Sequence, residues 1–482
     1  MKPEILWNYF LEILKIPHGS GNEAQLRNYI IDIAKQHNLD YSVDKVGNLL
    51  VRKPATKGYE DLKTVVLQSH LDMVCEKNSD VVFDFEKDPI QYEVVDGWMK
   101  AKGTTLGADN GIGVATQLAI LTSKNIEHGN LECLFTIEEE TGLTGAFGLE
   151  PNWLKAEILL NLDSDNDGQF FIGCAGGIDT EITMGYTLEK IPSFYKCYEI
   201  IVKGLSGGHS GDDINRGREN AIKLCNRVLL EAIKNFGLKL NHFKGGNLSN
   251  AIPREAMAKI AIPVEKSADF ENYVKNFYAL VKKELPMTEP NVVVQLQSTA
   301  SFVDALSDKE TESLVKALTA VPHGVIRMAA DIPNFVETST NLAAVNMENG
   351  EILITTSQRS SVESRKHEIA DQIASIFQLI GAKTKHGTGY PGWTPNVNSP
   401  ILKVVLETYK RMYNKEGQAL AIHAGLECGI ISEKYPDMDM VSYGPTMRNF
   451  HSPDERVEIA SVERFWDLTL EILKSIPKKI TD

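Results

Sequence analysis

Residues 64–72, Thr-Val-Val-Leu-Gln-Ser-His-Leu-Asp, form a short apolar run with no helical period that stops at an imidazole, His70, and a carboxylate, Asp72. A continuous apolar run of this length reads as a strand covered on both faces, and such strands belong to parallel sheets flanked by helices. The runs over 131–137 and 156–162 have the same character. Around them lie an opening helix, a helix over 22–38, a strand-like stretch over 41–52, and an apolar helix that follows Gly111-Ile-Gly113 and continues to Thr122. Strands alternating with helices predict an α/β domain over residues 1–185 whose chemistry sits at strand ends.

Past residue 185 the pattern changes. A strand over 195–203, a helix over 216–236, strands near 238–243 and 254–263 and a helix over 267–284 give β-α-β-β-α. A strand over 291–297, a helix over 307–319, a hairpin across Asn349-Gly350 and a helix over 361–380 give that order again. Asn-Gly is a strong two-residue hairpin signal and anchors the second half. An internal repeat is one reading, and coincidence of short elements is the other. Tyr390-Pro-Gly-Trp393 marks a return to helix, apolar segment and loop. The expected organisation is therefore an α/β domain in two parts, 1–185 and 385–482, with an α+β lid domain inserted over 186–384. A chain of 482 residues is too long for one compact core, which agrees with this division.

With 50 basic against 65 acidic residues the net charge is −15, which argues against nucleic acid as a partner. No window is apolar enough for a membrane span. The first 23 residues mix Trp7, Phe10, Leu11 and Leu14 with Glu4, Glu12 and Lys15, an amphipathic helix and not a signal peptide. Six cysteines without a Cys-x-x-Cys pair read as reduced core thiols, so a cytoplasmic location is expected.

Several further clusters bear chemistry. Asp109 sits in the glycine-rich turn Gly107-Ala-Asp-Asn-Gly111, where a helix cap is the ordinary reading and a dinucleotide fingerprint fails for want of its third glycine. Glu138-Glu139-Glu140-Thr-Gly142 closes an apolar strand. A solvated loop explains such a run, but neighbouring glutamates at a sheet edge can also divide the work of metal ligation and proton acceptance. Asp163-Ser-Asp165-Asn-Asp167-Gly168 copies half of a calcium loop, yet Cys174 stands where the closing glutamate belongs. Gly208-His209-Ser210-Gly211-Asp212 resembles a serine-hydrolase elbow but lacks its last glycine. His423 and His451 both lie in glycine- or proline-bearing loops. Mixed imidazole and carboxylate donors without thiolate suit zinc, manganese or cobalt, and a pair of such ions needs a bridging carboxylate.

His70-Leu-Asp72, Gly-Ala-Asp109-Asn-Gly, Glu139-Glu140-Thr-Gly, Asp163 and the C-terminal His451 together resemble the dinuclear zinc peptidases that include cytosolic dipeptidases, carnosinase-like enzymes, glutamate carboxypeptidase and aminoacylases. The resemblance spans essentially the whole chain, and the motifs at 145–149, 206–211 and 423–429 look most like the dipeptidase branch. Phe450 departs from the family, which often has a small residue there; this bears on pocket shape. The resemblance implies a catalytic α/β domain and a lid. It also implies two zinc ions per chain, with cobalt or manganese as alternatives, bridged by Asp109. His70 and Asp163 would complete one site, and Glu140 and His451 the other. Glu139 would be the general base on a hydroxide shared by the ions, Asp72 would orient His70, and the roles of His423 and Glu138 stay unassigned. His209 is the implied oxyanion donor, with Arg359 and Asn250 for the substrate carboxylate. The expected reaction is hydrolysis of unblocked dipeptides such as Xaa-His. The rivals are a tripeptidase, an N-acyl amino acid deacylase and a non-catalytic peptide-binding protein. A homodimer is implied by resemblance, although a duplicated lid could imitate that interface within a monomer.

Overall fold

The computed structural model describes residues 1–479, which form two compact units. The first comprises Met1–Gly173, Trp393–Ala421 and everything from Leu426 onward; the second comprises Cys174–Gly392 and Ile422–Gly425.

The first unit is built on an eight-stranded sheet in the order Asp40–Val43, Leu49–Lys53, Leu131–Thr136, Val65–His70, Ile158–Asn161, Asp439–Ser442, Gln169–Cys174 and Gln418–Ile422. The four strands from Leu131–Thr136 to Asp439–Ser442 run parallel. Every residue of Leu131–Thr136, Val65–His70 and Ile158–Asn161 is buried, which explains their apolar runs. The helix Ala108–Thr122 is itself buried on nearly all sides, consistent with its lack of a polar face. Asp439–Ser442 enters the sheet beside Ile158–Asn161, so the C-terminal segment completes a core begun by the N-terminal one. The stretch over 41–52 is two antiparallel strands, and the Asp44 carboxylate collects the N–H groups of Val46, Gly47 and Asn48 at their turn. In parallel sheets the loops after the strand C-termini form the natural crevice; His70 is the last residue of one such strand, and the 138–140 turn and Asp163 follow the ends of two others.

The second unit contains a nine-stranded antiparallel sheet. One half has the chain order Tyr195–Lys203, helix Ala221–Phe236, Lys239–Gly245, Ala256–Pro263, helix Ser267–Glu284 and Val293–Ser298, with its strands lying side by side as fourth, first, third, second. The other half has Gly176–Gly185, helix Asp308–Ala320, Val336–Glu348, Glu351–Ser360, helix Glu363–Gln378 and Lys383–His386, in the same lateral order. The halves meet where Lys244 and Gly245 pair with Asn346 and Val345.

A βαββαβ repeat is therefore present, but its register differs from the sequence expectation. Val293–Ser298 pairs with Tyr195–Lys203 and closes the first copy, where the sequence reading has it opening the second. The true opening strand of the second copy is Gly176–Gly185, held between Glu351–Ser360 and Lys383–His386. For that reason the units divide at residues 173 and 174, not at 185. On the C-terminal side they divide at 392 and 393, not at 384. Asn349 and Gly350 both adopt positive φ, 52° and 80°, as a type I′ hairpin turn requires.

Among the described residues no helix is long and apolar enough to cross a membrane. Cys75, Cys133, Cys197 and Cys225 are free thiols, the last three buried.

Candidate metal centre

His70 ends its strand fully enclosed and donates Nδ1–H to the backbone carbonyl of Asp72 at 2.9 Å. That bond leaves Nε2 facing Asp109 Oδ1 at 3.0 Å and Asp163 Oδ1 at 3.3 Å. The Asp72 side chain stands 3.4 Å from the ring, and its principal hydrogen bonds go elsewhere. It accepts the Ser20 hydroxyl at 2.7 Å and the N–H groups of Glu139 and Glu140 at 2.9 and 3.2 Å. Asp72 thus ties the tip of one strand to the turn after its neighbour. Burial works against its charge, but the His70 ring and these donors hold its pKa at about 2.

The Glu138–Glu140 turn begins with Glu138 in the left-handed region at φ 49°, its N–H donated to Glu23 at 3.1 Å. Glu140 Oε1 lies 3.0 Å from His451 Nε2. Asp109 leaves the non-helical first turn of Ala108–Thr122, and its Oδ2 lies 3.4 Å from the same His451 nitrogen. One oxygen of Asp109 therefore faces His70, whose Nε2 also meets Asp163, while the other faces His451, whose Nε2 also meets Glu140. Asp163 also accepts Asn110 Nδ2–H at 2.5 Å.

The electrostatics follow from crowding. Burial pushes the Glu139 carboxyl well above its ordinary range, with Asp163, Glu140 and Glu427 adding to it against the pull of His70. Burial likewise raises Glu140 and Asp163. Burial opposes a charge on His451, yet Asp109 and Glu140 bring it up to about 10. Among the described residues no lysine or arginine pairs with Asp72, Asp109, Glu140 or Asp163, whose only ionic partners are the two histidines. Buried carboxylates need cations. Ligand atoms of His70, Asp109 and Glu140 come within 4.8 Å of one another. A divalent ion fits this donor set.

Two supporting acids escape sequence reasoning. Glu455, fully buried, accepts the N–H groups of Leu106, Gly107 and Ala108 at 2.6, 3.0 and 2.8 Å and that of Asp109 at 3.4 Å, which fixes the loop carrying Asp109. Burial, then Asp109, raises its pKa to about 7. Glu427 Oε2 accepts Gln68 Nε2–H at 2.6 Å and the Thr136 hydroxyl at 2.8 Å, directly behind the strand tips, while its Oε1 is unpartnered. No spacing rule points to either, since their partners lie hundreds of residues away in the chain.

The second unit holds the remaining candidates. Arg359 is only 7% exposed, not an ordinary surface arginine. It donates Nη1–H to Tyr390 Oη at 2.8 Å and leaves Nε without a partner. Ser339 is its cross-strand neighbour and hydrogen-bonds His423 Nε2 at 2.7 Å. His209 ends the short strand Gly208–His209, paired with Ala251–Ile252. The exposed Asn250 accepts the Ser210 N–H at 2.8 Å through its carbonyl.

Imidazole and carboxylate donors that converge on an α/β strand crevice without a lysine or arginine partner make a candidate centre for divalent metal ions, the kind that metal-dependent hydrolases use. The profile of peptidase family M20/M25/M40 matches residues 66–475, and the chain belongs to that family. It is 46% identical over 479 residues to the cytosol non-specific dipeptidase of Escherichia coli (strain K12), covering 99% of each chain. The aminoacylhistidine dipeptidase of Vibrio alginolyticus superposes with a TM-score of 0.94 at 43% identity, covering 100% of this chain and 98% of that one. A Bacillus cereus aminopeptidase shares the fold at 16% identity and a TM-score of 0.58, covering 98% of each chain.

Proposed function

We propose that this chain is a cytosolic metallodipeptidase that hydrolyses unblocked dipeptides, Xaa-His among them. The observation that carries the reading is the two-sided placement of Asp109, with His70 against one oxygen and His451 against the other, and with Asp163 and Glu140 beside those two histidines. Two divalent ions, zinc first and cobalt or manganese next, would be held by these two groups with Asp109 shared. When bound, the ions supply Lewis-acid polarisation of the scissile carbonyl and of the attacking water. Glu139 takes the proton of that water and delivers it to the leaving amine. Asp72 holds the Glu139–Glu140 backbone in place while this happens. Arg359 receives the substrate's free carboxylate, Asn250 assists, and His209 donates to the carbonyl oxygen as negative charge develops.

The test is hydrolysis of Ala-His, a tripeptide and an N-acetyl amino acid by the purified chain, with elemental analysis for metal before and after chelation. Preference for Ala-His, about two ions per chain, and activity lost on chelation and restored by zinc support the proposal. Preference for the acetylated substrate or the tripeptide refutes it in favour of a deacylase or tripeptidase, and turnover indifferent to chelator refutes the metal centre. A homodimer is part of the proposal and is checked by sedimentation.

A further inference from the structure

Within the second unit, the turn after His209 has an unusual hydrogen-bond sense. The ring Nδ1 lies 3.3 Å from the Gly211 backbone nitrogen and 3.2 Å from that of Asp212, both in hydrogen-bond geometry. A backbone N–H can only donate, so both bonds require a lone pair on Nδ1. A proton on that atom would break two hydrogen bonds and set N–H against N–H. The same turn is anchored from below: Asp213 Oδ2 accepts the His209 N–H at 2.9 Å and pairs with Arg218 at 3.2 Å. Position 211 is closed to any side chain, because a Cβ there would run into the His423 carbonyl oxygen and come within 3.1 Å of the His209 ring. Glycine is what lets two successive N–H groups turn in towards the imidazole.

We infer that Gly211 and Asp212 are positioning residues that fix His209 as the neutral tautomer with its proton on Nε2. The second unit then presents an uncharged, directed N–H donor where an imidazolium would otherwise titrate. Because the inference rests on the proposed role of His209 as donor to the substrate carbonyl oxygen, it says how that donor is kept ready. A proton lost or gained at Nδ1 is not required at any stage of turnover, and the donor can strengthen its bond to a developing oxyanion without leaving the ring. The surroundings agree. Burial, followed by the Arg359 charge, lowers the ring's affinity for a second proton, while Asp212 and Asp213 oppose this; the Asp212 carboxylate is 3.8 Å from Nδ1, beyond hydrogen-bond reach.

The tautomer is read directly from two-bond proton–nitrogen correlation spectra of the full-length chain labelled with 15N-histidine, the His209 signals being those that vanish in His209→Gln. At neutral pH the expected pattern is a protonated Nε2 and a bare Nδ1. A protonated Nδ1, or an imidazolium, at neutral pH overturns the inference. Asp212→Pro removes one of the two donors, and a single hydrogen bond is worth roughly 3- to 10-fold in an equilibrium. The variant should show mixed tautomers and a kcat reduced by roughly that factor, with KM little changed. An unchanged spectrum in a folded Asp212→Pro chain also overturns it. Failure of the underlying role looks different: His209→Gln turning over at the wild-type rate would remove His209 from the reaction while the wild-type tautomer stood as described.

Discussion

Replacing Glu455 with alanine strips the loop that carries Asp109 of its acceptor and leaves every proposed ligand in place. The carboxylate accepts three buried backbone N–H groups at 2.6–3.0 Å and a fourth, that of the partly buried Asp109, at 3.4 Å. A buried donor left without a partner costs about 1–3 kcal/mol, so the three short bonds alone set a range of about 3–9 kcal/mol. Water entering the vacated space recovers part of this, which places the expected loss near 4 kcal/mol. At about 2–4 °C per kcal/mol the transition of this unit should fall by roughly 8–16 °C in calorimetry of the metal-free chain. Glu455→Gln keeps one acceptor and should fall between wild type and alanine. Asp109 is the residue this loop delivers, so bound metal should drop in parallel with stability. A shift below about 2 °C in Glu455→Ala refutes the reasoning, because it means the N–H groups are satisfied without the carboxylate.

Glu139→Gln should lower kcat on Ala-His by about 10²- to 10⁴-fold while metal content stays at the wild-type level, since only the proton acceptor is lost; turnover within tenfold of wild type excludes Glu139 as the base. Burial raises Glu427 from 4.5 to about 7, so the folded chain keeps a proton the unfolded chain has released. Its contribution to stability is complete below about pH 4.5 and lost as pH rises through about 7. Glu427→Gln in the metal-free chain should therefore match wild type near pH 5 and exceed it by about 2 kcal/mol at pH 8 in urea unfolding, and a difference independent of pH counts against a proton on Glu427. Arg359→Lys replaces a two-pronged donor by a point charge and should raise KM for Ala-His roughly tenfold with kcat within about threefold, as read from steady-state kinetics; an unchanged KM removes Arg359 from carboxylate binding.

The parts of the first unit that can be read from sequence are those where burial imposes a pattern. Val65–His70 and Ile158–Asn161 are parallel strands covered on both faces, so their apolar runs mark them and their polar ends mark the crevice. Residues that act through backbone groups of distant segments leave no such mark. Glu455 serves N–H groups nearly 350 residues earlier, and Glu427 lies in a conspicuous motif whose chemistry depends on Gln68 and Thr136 from two other strands. In the second unit the elements are legible and their partnership is not. Gly176–Gly185 begins with two glycines and follows directly on a strand of the other unit, so nothing local tells that its hydrogen-bonding partners lie at 351–360 and 383–386.

That nesting has a consequence for how the chain is made. One βαββαβ copy is threaded inside the other, and the segments leading into and out of the inner copy, Leu188–Lys190 and Asp304–Leu306, pair with each other as a two-stranded neck. The inner copy can therefore close on itself as soon as it leaves the ribosome. Gly176–Gly185 cannot: both flanking strands come from residues beyond 350. At about 5–20 residues per second, it waits roughly 8–33 s with both edges open. An open strand edge invites pairing with the wrong chain. The interval between the birth of that strand and the arrival of its neighbours is when this molecule is most exposed to aggregation, and when a chaperone would have most to protect.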